Sequence, residues 1–208
     1  MIKLKDILLE NTAPSIFTAR RTDDRTKRQA VINYRKAVKL VDEYVAGGSK
    51  GNLNLSELGL TALPSNLKNV KVSGYFYCDG NKLTSLEGAP SSVGGDFYCN
   101  NNELTSLEGA PSSVGGDFYC NNNKLTSLEG APSSVGGDFY CNKNKLTSLQ
   151  GAPSSVGGDF YCYDNELTSL EGAPNSVGGD FYCRYNRVTK FTAQQVKAVC
   201  DVTGDIFV

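Results

Sequence analysis

The side chains most able to do chemistry in this chain stand in columns. Cysteines fall at Cys78, Cys99, Cys120, Cys141, Cys162 and Cys183, each 21 residues after the last, and only Cys200 is off that grid. Aspartates keep step at Asp96, Asp117, Asp138, Asp159 and Asp180, with Asp205 after them, and tyrosines at Tyr77, Tyr98, Tyr119, Tyr140, Tyr161 and Tyr182. Zinc wants four ligands around a point, which a line of single thiols does not supply. Disulfides between neighbours in register would distort strand geometry. The thiols read instead as small buried apolar groups, in keeping with a reducing compartment. Carboxylates stacked about 5 Å apart repel by about 0.8 kcal/mol per pair even in water. A hard cation would relieve that; so, more cheaply, would backbone amides of the preceding Gly-Gly turn. Carboxylates that share acid–base work need unlike environments, and identical repeats give identical ones. The chain has no histidine, so the usual general base and His-ligated metals are absent. The glycines of Ser-Val-Gly-Gly-Asp are not followed by the Gly-Lys-Ser/Thr of a phosphate loop. No enzyme, cofactor or metal is expected.

The elements that must hold these columns follow from the period. A unit such as Leu104-Thr-Ser-Leu107-Glu-Gly-Ala-Pro111-Ser-Ser-Val114-Gly-Gly-Asp117-Phe118-Tyr119-Cys120 recurs almost unchanged within the 208 residues. A fixed period of this size marks a solenoid, in which each unit buries its apolar face only against its neighbours. Phe-Tyr-Cys alternates in, out, in, as a short strand does. The Glu-Gly-Ala-Pro-Ser-Ser stretch suits turns and extended chain better than helix. The Asn81, Asn102, Asn123, Asn144, Asn165 and Asn186 column sits where the chain must turn, and buried amides there can satisfy backbone groups that no strand pairs.

Phe97, Cys99, Asn102, Leu104 and Leu107 spell L-x-L-x-x-N-x-L-x-x-L with Phe and Cys at the first two places. This resembles the leucine-rich repeat over about residues 52–191, from a diverged copy at Leu53–Pro64 to a last one ending Asn186-Arg187-Val188-Thr-Lys-Phe191. The resemblance implies a right-handed, predominantly β leucine-rich-repeat solenoid of the α/β type, with about eight short parallel strands and a helix capping each end. Its divisions are a peptide and linker at 1–21, a capping helix within 22–48, the solenoid at 49–191, and a C-terminal cap and last strand at 192–208. The first helix, 22–46, starts at Thr22-Asp23-Asp24, carries Val31, Tyr34, Val38, Val41 and Val45 at helical spacing, and stops at Gly47-Gly48. The second, 193–202, opens on the capping box Thr192-x-x-Gln195 and buries Val196, Val199 and Cys200. The repeats also resemble those of secreted bacterial ubiquitin-ligase effectors, whose catalytic domain is a separate large helical unit; with residues 192–208 alone after the last repeat, ligase activity is not expected.

Function is then expected on the outward, concave face of the strands. Tyr98, Tyr119, Tyr140, Tyr161 and Tyr182 line it, and tyrosine gives rigid amphipathic contact area. Variation between copies is concentrated just after the cysteine and just before the leucine, and the last copies gain Tyr163, Arg184, Tyr185 and Arg187. Tyr and Arg are the anchor residues of interfaces. The expectation is a non-enzymatic protein-binding module; a glycan is the alternative ligand, stacked on the tyrosines.

Residues 1–50 hold 11 Lys and Arg against 6 Asp and Glu, and the remainder 10 against 16. The basic head is too short a block for a nucleic-acid arm, so no nucleic-acid partner is expected. No apolar run is long enough to span a membrane, and no secretory signal is visible; the expected location is cytoplasmic, in a host cell or a virion. Met1-Ile-Lys-Leu-Lys-Asp-Ile-Leu8-Leu9-Glu10 resembles the capsid-targeting peptides of myovirus internal proteins, which a prohead protease cuts after a Leu/Ile-x-Glu sequence. Decamer, basic helix and repeats together resemble leucine-rich-repeat proteins of tailed bacteriophages. That resemblance implies a second reading: a virion protein processed at Leu8 and Glu10.

Overall fold

The computed structural model describes residues 24–186 and 190–208. The candidate processing residues Leu8 and Glu10, the helix start at Thr22-Asp23, and the candidate contact residue Arg187 lie outside them. The rest is a predominantly β parallel solenoid of about seven turns with a 21-residue period. One sheet has eight parallel strands, from Leu53–Asn54 through six Phe-Tyr pairs to Ile206–Phe207. Each strand pairs in register with the equivalent residues one turn on, Phe118 with Phe139 and Tyr119 with Tyr140. The Ile206–Phe207 strand at the end is the expected final repeat of the Phe-Tyr pattern.

A second sheet has seven parallel strands, from Lys71–Val72 through five Ser-Val pairs to Asp201–Val202. The stretch expected to be turns and extended chain thus closes into a ladder of its own. The five Ser-Val strands are two residues long because Pro stands shortly before each and Gly-Gly follows, so alternation never runs far enough to be read as a strand. The Gly-Gly step has a steric cause. A Cβ on Gly136 would strike the carbonyl oxygen of Gly115 one turn below, and the same holds for Gly157 over Gly136.

The core is a set of apolar columns between the sheets. The six phenylalanines from Phe76 to Phe181 are fully buried. Their rings follow one another at 5.1–5.5 Å. Buried leucines such as Leu104 and Leu107, and valines such as Val114, complete each layer. Because every layer repeats the last, the ends are where apolar surface would be left open.

Helix α1, Asp24–Ala46, covers the N-terminal end. Its buried positions are Ala37 and Val41, with Tyr34, Leu40 and Tyr44 packed beside them, whereas Val31 and Val45 of the expected stripe are exposed. Asn33 Nδ2 donates to the Leu58 carbonyl at 2.6 Å, and Asn66 Nδ2 to the Val38 carbonyl at 3.1 Å, locking helix to solenoid. At the other end α2 spans Ala193–Lys197, with both bonds of the Thr192–Gln195 capping box formed. It is shorter than the expected 193–202 because the chain must leave the helix for the Asp201–Val202 strand, which pairs with Ser176–Val177. Val196 and Cys200 are buried, but Val199 is exposed. No helix of the described residues is long and apolar enough to cross a membrane.

Candidate protein-binding face

The tyrosine column is a continuous stack. From Tyr77 to Tyr182 the rings lie 4.4–4.7 Å apart and within 9° of parallel, and Phe207 extends the stack at 4.5 Å from Tyr182. The spacing is set by the ladder beneath: equivalent residues on parallel strands stand one strand apart. Both faces of each inner ring are therefore covered by its neighbours, and the column offers edges rather than faces to a ligand.

The hydroxyls are engaged as well. Tyr98, Tyr119, Tyr140, Tyr161 and Tyr182 each donate to Oδ2 of the aspartate two residues earlier, at 2.7–2.9 Å. The other carboxylate oxygen, Oδ1, accepts the backbone N–H of the next aspartate in the column, from Asp96 receiving Asp117 to Asp180 receiving Asp205. This corrects the expected relief of the aspartate repulsion. The amides come not from the preceding Gly-Gly turn but from the following repeat, so each carboxylate staples two turns together. Burial, followed by the hydrogen bond and charge of Asp117, pushes the Tyr119 phenol up to about 12, and the same causes raise Tyr140 and Tyr161. Among the described residues no group of three or more Cys, Asp or Glu is arranged to hold a metal ion.

Beneath the tyrosines the cysteines are buried donors. Cys99, Cys120, Cys141 and Cys162 point Sγ at the carbonyl of the tyrosine one turn on, at 3.2–3.4 Å. Burial, foremost, raises the Cys99 and Cys120 thiols. Next to them runs the asparagine ladder. Asn144 Nδ2 donates to the carbonyls of Cys120 and Cys141 at 3.1 and 3.0 Å, and its Oδ1 accepts the Leu125 N–H at 3.1 Å. The repeat thus spends its polar side chains on holding turn to turn.

The variable positions after the cysteine form two further columns. The first is Asp79, Asn100, Asn121, Asn142, Tyr163 and Arg184. The Oδ1 atoms of Asp79, Asn100 and Asn142 are buried there without a donor among the described residues. Tyr163 meets Tyr161 edge-on at 6.4 Å. Arg184 lies over the Phe207 ring, its guanidinium carbon 4.9 Å from the centroid. The second column is the apex of the turn: Gly80, Asn101, Asn122, Lys143, Asp164 and Tyr185 all have φ between 54° and 63°. Gly and Asn enter this left-handed region readily, but a bulky aromatic does not. Tyr185 does so while 78% exposed.

Of the expected contact residues, Tyr98 to Tyr182 lie side by side in one column, and Tyr163, Arg184 and Tyr185 come together at its C-terminal end. The Asp164 N–H bonds to the Arg184 carbonyl at 3.1 Å across adjacent turns. Sequence reasoning missed Phe207 as the seat of Arg184, although its place in the Gly-Asp-aromatic pattern identifies it as the seventh ring. It also missed the turn apex, which Gly80, Asn101 and Asn122 signal, since those are the residue types that tolerate positive φ. A separate trough over the second sheet, lined by Ser134, Val135, Gly136 and their equivalents, contains none of the expected contact residues. The chain matches no protein-family model and no curated protein.

Proposed function

We propose that the chain is a non-enzymatic protein-binding module, and that it binds through the C-terminal end of the tyrosine-bearing face. The observation that carries this reading is Tyr185. A large aromatic is held 78% exposed on a left-handed backbone position, where strain costs about 1–3 kcal/mol and no packing within the described residues offsets it. Arg184 and Tyr163 stand next to it, and such residues supply most of the energy of known interfaces. The tyrosine floor is the rigid support rather than the anchor, since its rings and hydroxyls are already spent on one another and on aspartate. For the same reason the geometry favours a protein over a glycan: a sugar stacks on an aromatic face, and the inner rings have none free.

The finer reading of the array as leucine-rich-repeat type is supported by Phe97, Cys99, Asn102, Leu104 and Leu107 in the order described above, with the asparagine amide in its turn-stapling place. The experiment is differential capture. The full chain and the double variant Arg184→Ala with Tyr185→Gly, which keeps the turn conformation, are used as parallel baits. The reading expects proteins retained by the first and lost by the second; identical captures would contradict it.

A further inference from the structure

Resting on that reading, we propose that the C-terminal end of the face is a carboxylate-reading site: Arg184 receives an Asp or Glu side chain of the partner protein, and Tyr185 covers an apolar residue beside it.

Three observations carry this. First, Arg184 is seated. Its guanidinium carbon stands 4.9 Å from the Phe207 centroid, and an arginine laid on an aromatic face keeps its N–H edges free to meet a carboxylate with two parallel bonds. Second, Arg184 is an exposed cation that takes part in no ion pair among the described residues. The ion pairs of the described residues are Lys39–Glu43 and Lys124–Glu103, neither of which involves it. In the aspartate column Asp180 is fully used: Oδ2 takes the Tyr182 hydroxyl at 2.9 Å and Oδ1 the Asp205 N–H at 2.7 Å. Asp205, the last of the column, has a phenylalanine two residues on instead of a tyrosine, and among the described residues it forms no ion pair with Arg184. Third, the apolar half of the site is built. Tyr185 projects from the turn apex next to Arg184, and Tyr163 is braced edge-on against Tyr161 one turn before.

The same position in the five earlier turns is Asp79, Asn100, Asn121, Asn142 and Tyr163, and the apex there is Gly80, Asn101, Asn122, Lys143 and Asp164. Only the last turn therefore combines a seated guanidinium with an exposed ring. The partner's matching feature is an acidic residue flanked by an aliphatic or aromatic one on an exposed segment.

The test uses a library of random linear peptides displayed on yeast, selected on the full-length protein. The enriched peptides should carry Asp or Glu next to an apolar residue. Their binding should fall by at least about tenfold on Arg184→Gln, and Arg184→Lys should not restore it, because a point charge cannot replace the planar fork. Changing Glu to Gln in an enriched peptide should cause the same loss. Thermal melts of both variants should match the wild type, which separates lost contact from lost fold. Enriched peptides without acidic residues, or acidic peptides that bind Arg184→Gln as well as wild type, overturn this site while leaving the binding-module reading in place. A library that yields no enriched peptide counts against both.

Discussion

The Tyr140 hydroxyl donates to Oδ2 of Asp138 at 2.9 Å, while Oδ1 of the same carboxylate accepts the Asp159 N–H at 2.7 Å from the next turn. One side chain thus satisfies a phenol on its own strand and a backbone group on its neighbour. Removing it in Asp138→Ala leaves two half-buried donors without acceptors. The expected loss is about 1–3 kcal/mol in chemical denaturation. Asp138→Asn keeps an oxygen for the Asp159 amide, and the Tyr140 oxygen can accept from the new amide group, so its loss should be clearly smaller. Equal losses would mean that the staple is not what stabilises the turn.

The phenols give a pH dependence whose sign is fixed. Tyr119 is raised to about 12 in the folded protein, against about 10 in an unfolded chain. Its contribution is fully present below about pH 10 and is lost as pH rises from there through about 12. Stability measured across that window should fall steadily, and ultraviolet titration of the native protein should show ladder phenolates forming later than free tyrosine does. Ladder tyrosines that ionise like free tyrosine would contradict the stacked, carboxylate-bonded arrangement.

Asn144 tests the ladder at the turn. In Asn144→Asp the donor facing the Cys120 and Cys141 carbonyls becomes an oxygen at nearly unchanged volume. Burying that repulsion should cost about 2–5 kcal/mol, more than the change Asn122→Asp at the exposed turn apex, as read from the shift in melting midpoint. A tolerated Asn144→Asp would show that the amide bonds are incidental.

Gly136→Ala addresses the second sheet. A methyl there meets the Gly115 carbonyl oxygen, which is backbone and cannot swing aside. The expected destabilisation is about 1–3 kcal/mol or more, seen in thermal melts, with the circular-dichroism signature of the remaining sheet retained. An unchanged melt would place the two turns further apart than described.

How much of this was legible beforehand differs by column. The fixed interval between Cys99 and Cys120 announced a solenoid, and Phe97 and Tyr98 announced which way the strand faces, because alternation needs only two residues once the period is known. Asn102 could be placed at the turn for the same reason. The Ser113–Val114 strand was hidden, since the three residues between Pro111 and Gly115 leave no pattern to read. The bond from Asp96 to the Asp117 amide was hidden for a different reason: sequence gives the column but not whether its carboxylates look toward their own turn or the next. At the site, the gain of Tyr163, Arg184 and Tyr185 was visible. The positive φ of Tyr185 is signalled by Gly80, Asn101 and Asn122 at the same place in earlier turns, but that Arg184 rests on Phe207 depends on where the last strand ends and could be seen only in three dimensions.

On the proposed reading, binding energy lies in the residues that differ between turns, not in the tyrosine floor. The most direct measurement compares the affinity of a captured partner for Arg184→Ala with Tyr185→Gly, for Tyr140→Phe, and for the mid-array control Asn121→Ala with Asn122→Gly. The expected outcome is an affinity loss of at least about 2 kcal/mol for the first and small affinity changes for the other two; the first and third should melt near the wild type, and Tyr140→Phe somewhat lower, because it leaves Oδ2 of Asp138 without its donor. An unchanged affinity in the first variant, or an equal affinity loss in Tyr140→Phe, would contradict that reading.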